Sequence, residues 1–245
     1  MSILELNNIT KTDGDTTVLD GVYFEIEEKG LYAILCKNSS ERVALAEVLA
    51  GCASIDEGMM VFRGIPVYSN DRNSREAKLK IGYVPSETFF FGDMTVFDTL
   101  DFTGRMRKVS SNKRVRQIKE SLELVNLSSK CEVYVSELSI SEKKRLALAN
   151  ALIGNPSMII LDEPTESVSA NDADIIKGLI RMIKDKKLII LLTDKTSLAQ
   201  EMAMHAGVLA NGEITLWDYM ENLKERYEGE EDFLSRALDE FSAEA

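Results

Sequence analysis

The chain has 245 residues, 44% of them hydrophobic, and a formal net charge of −12. This composition is that of a globular protein with a sizeable core, and the excess of acidic residues argues against a surface for nucleic acid or anionic lipid. No apolar run approaches the roughly 18 residues that span a membrane. No signal peptide opens the sequence, and the cysteines form neither a disulfide nor a zinc pattern, so we expect a cytoplasmic protein.

Hydrophobic periodicity predicts strands first and then helices that alternate with apolar strands. In chain order we predict strands at 3–9, 22–26 and 31–35, a helix at 40–50, strands at 59–62 and 80–84, helical segments from 96 to about 127 and at 140–153, a strand at 158–162, a helix at 170–183, and strands at 188–193, 207–210 and 213–216. This order favours an α/β fold with a parallel sheet, to which a small antiparallel β layer is added at the N-terminus.

The end of the chain is acidic and has helical periodicity. Its apolar positions are Phe233, Leu234, Leu238 and Phe241. We predict a peripheral, acidic C-terminal helix over about 230–245, with a regulatory tail as the alternative.

The segment MIILDEPTESVSA is the most specific motif in the sequence. It places Asp162 at the carboxyl end of a buried strand, followed by Glu163 and a Pro-Thr turn. Such a pair suits a site in which Asp162 binds Mg²⁺ and Glu163 acts as the catalytic base that polarises water. The alternative is a strand end that carries two solvated acids.

A second segment, CKNSSERVA at 36–44, joins a predicted strand to a predicted helix. Phosphate-binding loops occupy this position in many nucleotide-binding proteins. This turn, however, contains no glycine and has a glutamate at its centre.

Taken together, several segments resemble the ATP-binding domain of ABC transporters over nearly the whole chain. The segments are ERVALAEVLAGCASIDEGMMVFRG, IGYVPSETFFFGDMTVFDTLDFTGRM, LSISEKKRLALANALIGNPSMIILDEPT and AMHAGVLANGEI. The segment GDMTVFDTLDF is most similar to the corresponding segment of the ATPases of ABC-2-type exporters. The resemblance implies a single domain over 1–245 with a P-loop NTPase-like parallel sheet, an N-terminal antiparallel β subdomain and an inserted helical subdomain over about 86–150. It also implies that two such domains pair head to tail, bind ATP with Mg²⁺ between them and move a membrane permease.

The phosphate loop departs from the family pattern at every informative position. Cys36, Ser39 and Glu41 replace the three glycines, Arg42 replaces the lysine, and Val43 and Ala44 replace the hydroxyl residues. The degenerate nucleotide-binding loop implied by the resemblance comprises Asn38, Ser39, Ser40, Glu41, Arg42, Val43 and Ala44. A carboxylate about 4 Å from a phosphate costs on the order of 4 kcal/mol at an effective dielectric near 20, or roughly a thousandfold in affinity. We expect Arg42 to offset part of this cost by pairing with Glu41 or with the phosphate.

The other nucleotide-facing positions are altered as well. Ser86 stands at the glutamine-loop position, Ser169 at the D-loop aspartate and Asp194 at the switch histidine. The signature motif reads LSISE: Ser139 is retained, whereas Ile140 and Ser141 replace the two glycines and Glu142 replaces the glutamine. No aromatic residue lies near Asp13, where the family stacks adenine, and His205 is predicted to be structural.

Three functions remain open at this point. The first is an ATP-binding exporter subunit with impaired hydrolysis and a structural or regulatory role. The second is an active ATPase that drives export, and the third is a scaffold or immunity-type module outside transport. ATP and Mg²⁺ are the cofactors if any nucleotide binds. The partners implied are an ABC-2-type permease, which would hold the chain at the inner face of the membrane, and a second ATP-binding subunit.

The permease is expected to contact the segment 86–101. Phe89, Phe90 and Phe91 follow one another there. An exposed aromatic patch usually marks an interface. Packing of the three rings beneath the helical subdomain is the alternative.

Overall fold

A six-stranded sheet forms the centre of the protein in a computed structural model that describes residues 2–227 and 230–243. The strands are β1 (Leu4–Asp13), β2 (Thr16–Ile26), β3 (Gly30–Leu35), β4 (Glu57–Phe62), β5 (Ile65–Pro66), β6 (Ile81–Val84), β7 (Met158–Asp162), β8 (Leu188–Thr193), β9 (His205–Ala210) and β10 (Glu213–Tyr219). The helices are α1 (Ser39–Ala50), α2 (Arg72–Lys78), α3 (Val96–Met106), α4 (Ser111–Leu124), α5 (Ile140–Leu152), α6 (Ala170–Lys184), α7 (Thr196–Met202), α8 (Met220–Arg226) and α9 (Phe233–Ala243).

The central sheet has the order β10-β9-β3-β8-β7-β6, and β10 alone among these strands runs antiparallel to its neighbour. Every residue of β8 is buried because helices cover both faces of the sheet. Successive side chains of a strand point to opposite faces. Ile190 therefore packs in the cluster that contains α1, whereas Ile189 and Leu191 pack in the cluster that contains α3, α4, α5 and α6. The predicted α/β fold is confirmed.

The predicted antiparallel β layer is also confirmed. It has the order β2-β1-β4-β5 and comes entirely from the first 66 residues. The sequence patterns did not indicate β5, α2, α7 or α8, which are all short. Short elements fix few periodic positions, so their pattern is weak.

The helical segment predicted from 96 to about 127 is divided. α3 ends at Met106, a turn with Lys108 at φ 57° follows, and α4 begins at Ser111. α3, α4 and α5 lie within or next to the range 86–150 that the resemblance assigns to a helical subdomain.

The predicted C-terminal helix is observed as α9, which begins at Phe233 and ends at Ala243. Residues 244 and 245 lie outside the described residues. Phe233, Leu234 and Leu238 are buried in a cluster with β3 and β9, so α9 packs on the sheet.

Candidate functional site

The connection between β3 and α1 is a three-residue turn followed directly by helix. Residues 39–44 are helical, so the phosphate-binding loop expected over 38–44 is absent as a loop. Asn38 caps α1, and its side-chain oxygen accepts hydrogen bonds from the backbone N–H groups of Ser40 (2.9 Å) and Glu41 (3.5 Å). Free N–H groups at a helix N-terminus bind phosphate. Here a side chain of the protein already occupies two of them.

Glu41 does not face the space where a phosphate would lie. Its carboxylate is buried, accepts a hydrogen bond from Asn38 Nδ2 at 2.7 Å, and lies 4.0 Å from the Cys36 sulfur. Burial raises the pKa of the Cys36 thiol to about 12. The carboxylate thus supports the turn that forms the cap, and its repulsion of a phosphate stays a prediction.

Arg42 pairs with Asp162, the predicted metal ligand. Its guanidinium donates to Asp162 Oδ1, and the backbone N–H of Ser86 lies 3.4 Å from Oδ2. Burial raises the pKa of Asp162, and the Arg42 charge opposes that shift. The expected pairing of Arg42 with Glu41 is wrong. A guanidinium thus takes up one of the two carboxylate oxygens of Asp162.

Glu163, the predicted base, is held by the end of β8. Its Oε1 accepts from the backbone N–H of Asp194 at 2.6 Å, and its Oε2 accepts from the Thr193 hydroxyl at 3.0 Å. The side chain is buried, and burial raises its pKa. Both oxygens thus have partners within the protein, and Asp194 contributes its backbone rather than a side chain.

Lys144 on α5 joins two of these segments, a role that the sequence patterns did not indicate. Its ammonium donates to the backbone oxygen of Ser86 and lies 3.4 Å from that of Glu163. The side chain is buried, and burial lowers the pKa of Lys144. The available signal was a lysine on the buried face of an amphipathic helix. Lys144 fixes α5 to the ends of β6 and β7.

The predicted signature residues make no hydrogen bond to Arg42, Asp162 or Glu163 among the described residues. Ser139 and Glu142 form a capping box at the start of α5, and Lys130 pairs with Glu142 at 2.6 Å and lowers its pKa. The Ser141 hydroxyl is buried without a hydrogen-bond partner among the described residues, whereas Ile140 is exposed. The Glu142 charge therefore stabilises its own helix.

An open cleft of about 840 Å³ lies between α1, β1 and the segment after β6. Of the predicted nucleotide-binding residues, Ser39, Ser40, Arg42, Val43, Ala44 and Ser86 line it, whereas Asn38, Glu41, Ser139, Ser141 and Asp194 do not. The charged side chains in its lining are Lys11, Arg42, Asp13, Glu47, Glu87 and Glu166. Four acidic side chains thus share the lining with two basic ones, and one of the basic ones, Arg42, is already paired with Asp162. Phe89 and Tyr83 are the aromatic residues of the cleft. Asp13 also lines it, at the position where the family resemblance predicts an aromatic residue that stacks on adenine.

Comparison with known proteins identifies the family. Residues 19–166, well over half of the chain, match the family model described as ABC transporter. The chain belongs to the ABC transporter family. Within this family, the Nod factor export ATP-binding protein I of Rhizobium meliloti is 31% identical over 78% of this chain and 56% of its own length. The sulfate/thiosulfate import ATP-binding protein CysA of Mesostigma viride is 31% identical over 87% of this chain and 61% of its own length.

The fold agrees with the family assignment. A solved structure titled "Structure of ATP binding subunit of ABC transporter" superposes with a TM-score of 0.85 at 16% identity, covering 98% of this chain and all of the other. The present chain spans less than two thirds of the two curated relatives named above.

The residues of this ABC family member do not fit Mg²⁺ and ATP in the way that its fold implies. Val43 supplies no hydroxyl, Asn38 occupies the helix N-terminus, and Arg42 neutralises Asp162. Asn38 and Arg42 thus take up two of the positions that a nucleotide and its metal ion would need, and Val43 leaves a third without a ligand atom.

Proposed function

We propose that this chain takes the place of the ATP-binding subunit in an ABC-2-type exporter, in which it has a structural or regulatory role, weak or absent binding of ATP, and little or no ATPase activity of its own. The observation that carries the proposal is the buried pair between Arg42 and Asp162. It gives the metal-side carboxylate a cationic partner from within the chain. The fold is thus retained without a need for the ion.

The remaining groups support the same conclusion. Asn38 holds N–H groups that a phosphate would otherwise bind, and Glu163 is hydrogen-bonded at both oxygens. Four acids in the cleft make the approach of ATP unfavourable, since ATP carries several negative charges. An active ATPase would have to break these contacts before it bound its substrate.

In a head-to-tail pair the altered signature would weaken the second site as well. Ile140 replaces a glycine there and 61% of its surface is exposed, so it would crowd a phosphate presented by a partner. We therefore propose that the chain contributes assembly rather than a composite catalytic site to such a pair.

The membrane partner is proposed to be a permease that binds at the aromatic segment after β6. Phe89 and Phe91 are 85% and 67% exposed, whereas Phe90 packs partly into the core beneath α3. No helix in the described part of the chain is long and apolar enough to cross a membrane. The protein would thus lie at the inner face of the membrane through this contact. The Nod factor export protein and the import protein are equally identical to this chain, so the proposal of export depends on the resemblance of the segment GDMTVFDTLDF to exporter ATPases.

Calorimetric titration of the purified chain with ATP, with and without Mg²⁺, tests the nucleotide part of the proposal. We expect no binding up to about millimolar ATP, which corresponds to a free energy of about −4 kcal/mol. Micromolar binding with Mg²⁺-dependent hydrolysis that Glu163→Gln abolishes would instead make the chain an active ATPase.

Co-purification with a candidate permease tests the partner. Phe89→Asp with Phe91→Asp should abolish it, because both side chains would be buried in the contact. Met182→Asp is the matched control, since Met182 is an exposed apolar residue on α6 and not in this segment. Retention of the permease by the double variant would contradict the proposed contact.

A further inference from the structure

The segment 86–94, which follows β6, contains neither helix nor strand and yet is anchored at its start, middle and end. A free chain of this length would lose backbone entropy when a partner bound it, and each residue that became ordered would weaken the affinity by roughly tenfold. A segment that is ordered before binding does not incur this loss. The anchors of the segment therefore affect how tightly its exposed side chains can bind a partner.

The start of the segment is held by charged side chains through both backbone groups of Ser86. Its N–H donates to Asp162 Oδ2 at 3.4 Å, and its carbonyl oxygen accepts from the Lys144 ammonium. Arg42 pairs with the other oxygen of Asp162 and so fixes the orientation of that carboxylate. Pro85 restricts the backbone further, because its ring fixes φ. The first residue of the segment thus has a defined position and direction.

The end of the segment is held by backbone hydrogen bonds to the residues that precede α5. The N–H of Ser136 donates to the carbonyl of Gly92 at 3.3 Å. The N–H of Val135 donates to the carbonyl of Met94 at 3.0 Å. These bonds do not depend on any side chain, so the end of the segment should stay in place when side chains at its start are changed.

The middle of the segment turns one aromatic ring inward and two outward. Phe90 is half-buried and packs against the cluster that contains α3, α4, α5 and α6, whereas Phe89 and Phe91 remain exposed. Phe89 lines the cleft of about 840 Å³ on one side and a cavity of about 130 Å³, beside Val135, on the other. A shift of this ring would therefore change the shape of the surface on which a partner is proposed to dock.

The anchor from Lys144 comes from a side chain that cannot contact a partner itself. Lys144 is 6% exposed and lies on α5, and its ammonium also lies 3.4 Å from the backbone oxygen of Glu163. Without this side chain the carbonyl of Ser86 would lose its donor and would turn toward water, because a buried carbonyl without a partner is unfavourable. The segment would then no longer have a fixed start.

We propose that Lys144 is a positioning residue for the permease contact and makes the segment 86–94 a preformed docking element. The inference rests on the proposed function, since the partner is the permease proposed above. Lys144 acts through Ser86, whose carbonyl it holds, and Phe89 and Phe91 make the contact. The docking surface is thus set by a charge that lies behind it.

Phe90 reports the order of the segment in the absence of any partner. In the full chain labelled with para-fluorophenylalanine, its fluorine NMR signal, assigned with Phe90→Leu, should be narrow and distinct from the signal of the unfolded chain. Lys144→Met should broaden this signal or move it toward the unfolded value. Lys144→Arg keeps a cationic donor and should retain the native signal. An unchanged Phe90 signal in Lys144→Met would overturn the proposal.

Affinity for a candidate permease in detergent micelles tests the consequence for docking. Lys144→Met should weaken binding by about tenfold, the effect of one residue that must be ordered again, although both exposed rings are intact. Leu238→Ala is the matched control, because it removes packing from the cluster of α9 with β3 and β9 and should lower stability without changing permease affinity. Equal weakening by both variants would show that lost stability is the cause and would overturn the proposal.

A double-variant cycle separates positioning from an independent effect. Phe89→Ala removes one of the rings that Lys144 positions, so in that background Lys144→Met should weaken permease binding by clearly less than tenfold. Fully additive losses would overturn the proposal. If the native chain binds no candidate permease, the proposed partner is wrong, and the fluorine signal of Phe90 by itself then decides whether Lys144 orders the segment.

Discussion

Arg42 at the start of α1 and Asp162 at the end of β7 form a buried ion pair across 120 residues of chain. Asp162 is completely removed from solvent and the Arg42 side chain is 10% exposed. Burying an unpaired charge is costly, so each side chain makes the other tolerable in the interior. The pair fixes α1 to β7 and occupies the carboxylate at which a metal ion would be held.

Loss of one partner of this pair should destabilise the protein strongly. Asp162→Asn leaves the Arg42 charge buried without compensation, so we expect the free energy of unfolding to fall by about 3–5 kcal/mol. Urea denaturation measures the change. Asp239→Asn is the matched control, since it breaks the exposed pair with Lys37 and should cost less than about 1 kcal/mol.

The same experiment has an internal check. Replacing both partners, with Arg42→Met and Asp162→Leu, should recover most of the lost stability because no charge remains buried. If the double variant were as unstable as Asp162→Asn, the unpaired charge of Arg42 would not be the cause of the lost stability.

The Asn38 cap should contribute measurably to stability. Asn38→Ala removes the acceptor for the N–H groups of Ser40 and Glu41 and should lower the free energy of unfolding by about 1 kcal/mol. Ser110→Ala is the control, because Ser110 caps α4 without a side-chain hydrogen bond and its replacement should have little effect. Equal losses for the two variants in chemical denaturation would contradict the capping role.

Lys144 should hold α5 to the core. Lys144→Met keeps the length of the side chain but leaves the backbone oxygen of Ser86 without its donor, so we expect a loss of about 1–3 kcal/mol. Amide hydrogen exchange in the segment 86–92 should accelerate as well. Lys143→Met, one position earlier on the same helix, should change neither quantity; acceleration in both variants would point to a general effect on α5.

Restoring the family residues should restore nucleotide binding. The rebuilt variant combines Ser39→Gly, Glu41→Gly, Arg42→Lys and Val43→Ser. It returns backbone freedom, a compact ammonium and a hydroxyl, and frees Asp162, so it should bind Mg²⁺ and ATP at least about tenfold more tightly than the native chain. Calorimetry measures the gain, and adding Asp162→Asn should remove its dependence on Mg²⁺. If the rebuilt variant bound ATP no more tightly than the native chain, the acidic lining of the cleft, and not the altered turn, would account for the weak binding.

Stability should depend on pH through His205. Its pKa is lowered to about 4 in the folded chain, below the unfolded value, so the unfolded state takes up the proton first as the pH falls. Between about pH 6.5 and 4 His205 should therefore lower the free energy of unfolding by at most about 1.4 kcal/mol per pH unit. The difference in slope between the native chain and His205→Phe isolates this contribution from the carboxylates. Parallel pH profiles would contradict it.

Much of the fold could be predicted because it follows from local patterns. β7 and β8 were predicted at their observed bounds, since a run of apolar residues bounded by polar ones indicates a buried strand. The division between α3 and α4 was not predicted, because the turn at 107–110 contains neither glycine nor proline. A left-handed Lys108 makes that turn, and such a conformation has no strong sequence signal outside glycine and asparagine.

The sequence by itself determined the order of the longer strands and helices, the family, and the loss of glycines and hydroxyls from the segment 36–44. These features depend on which residues neighbour one another along the chain. Only the tertiary structure decided the partners of the charged groups: Arg42 with Asp162, Lys144 with the backbone of Ser86, and Glu163 with the end of β8. Those contacts join residues from 30 to 120 positions apart, and they depend on strand order and on which face each side chain takes. The contact of Tyr32, His205 and Tyr219 arises in the same way, because strand register brings these residues from three separate strands side by side.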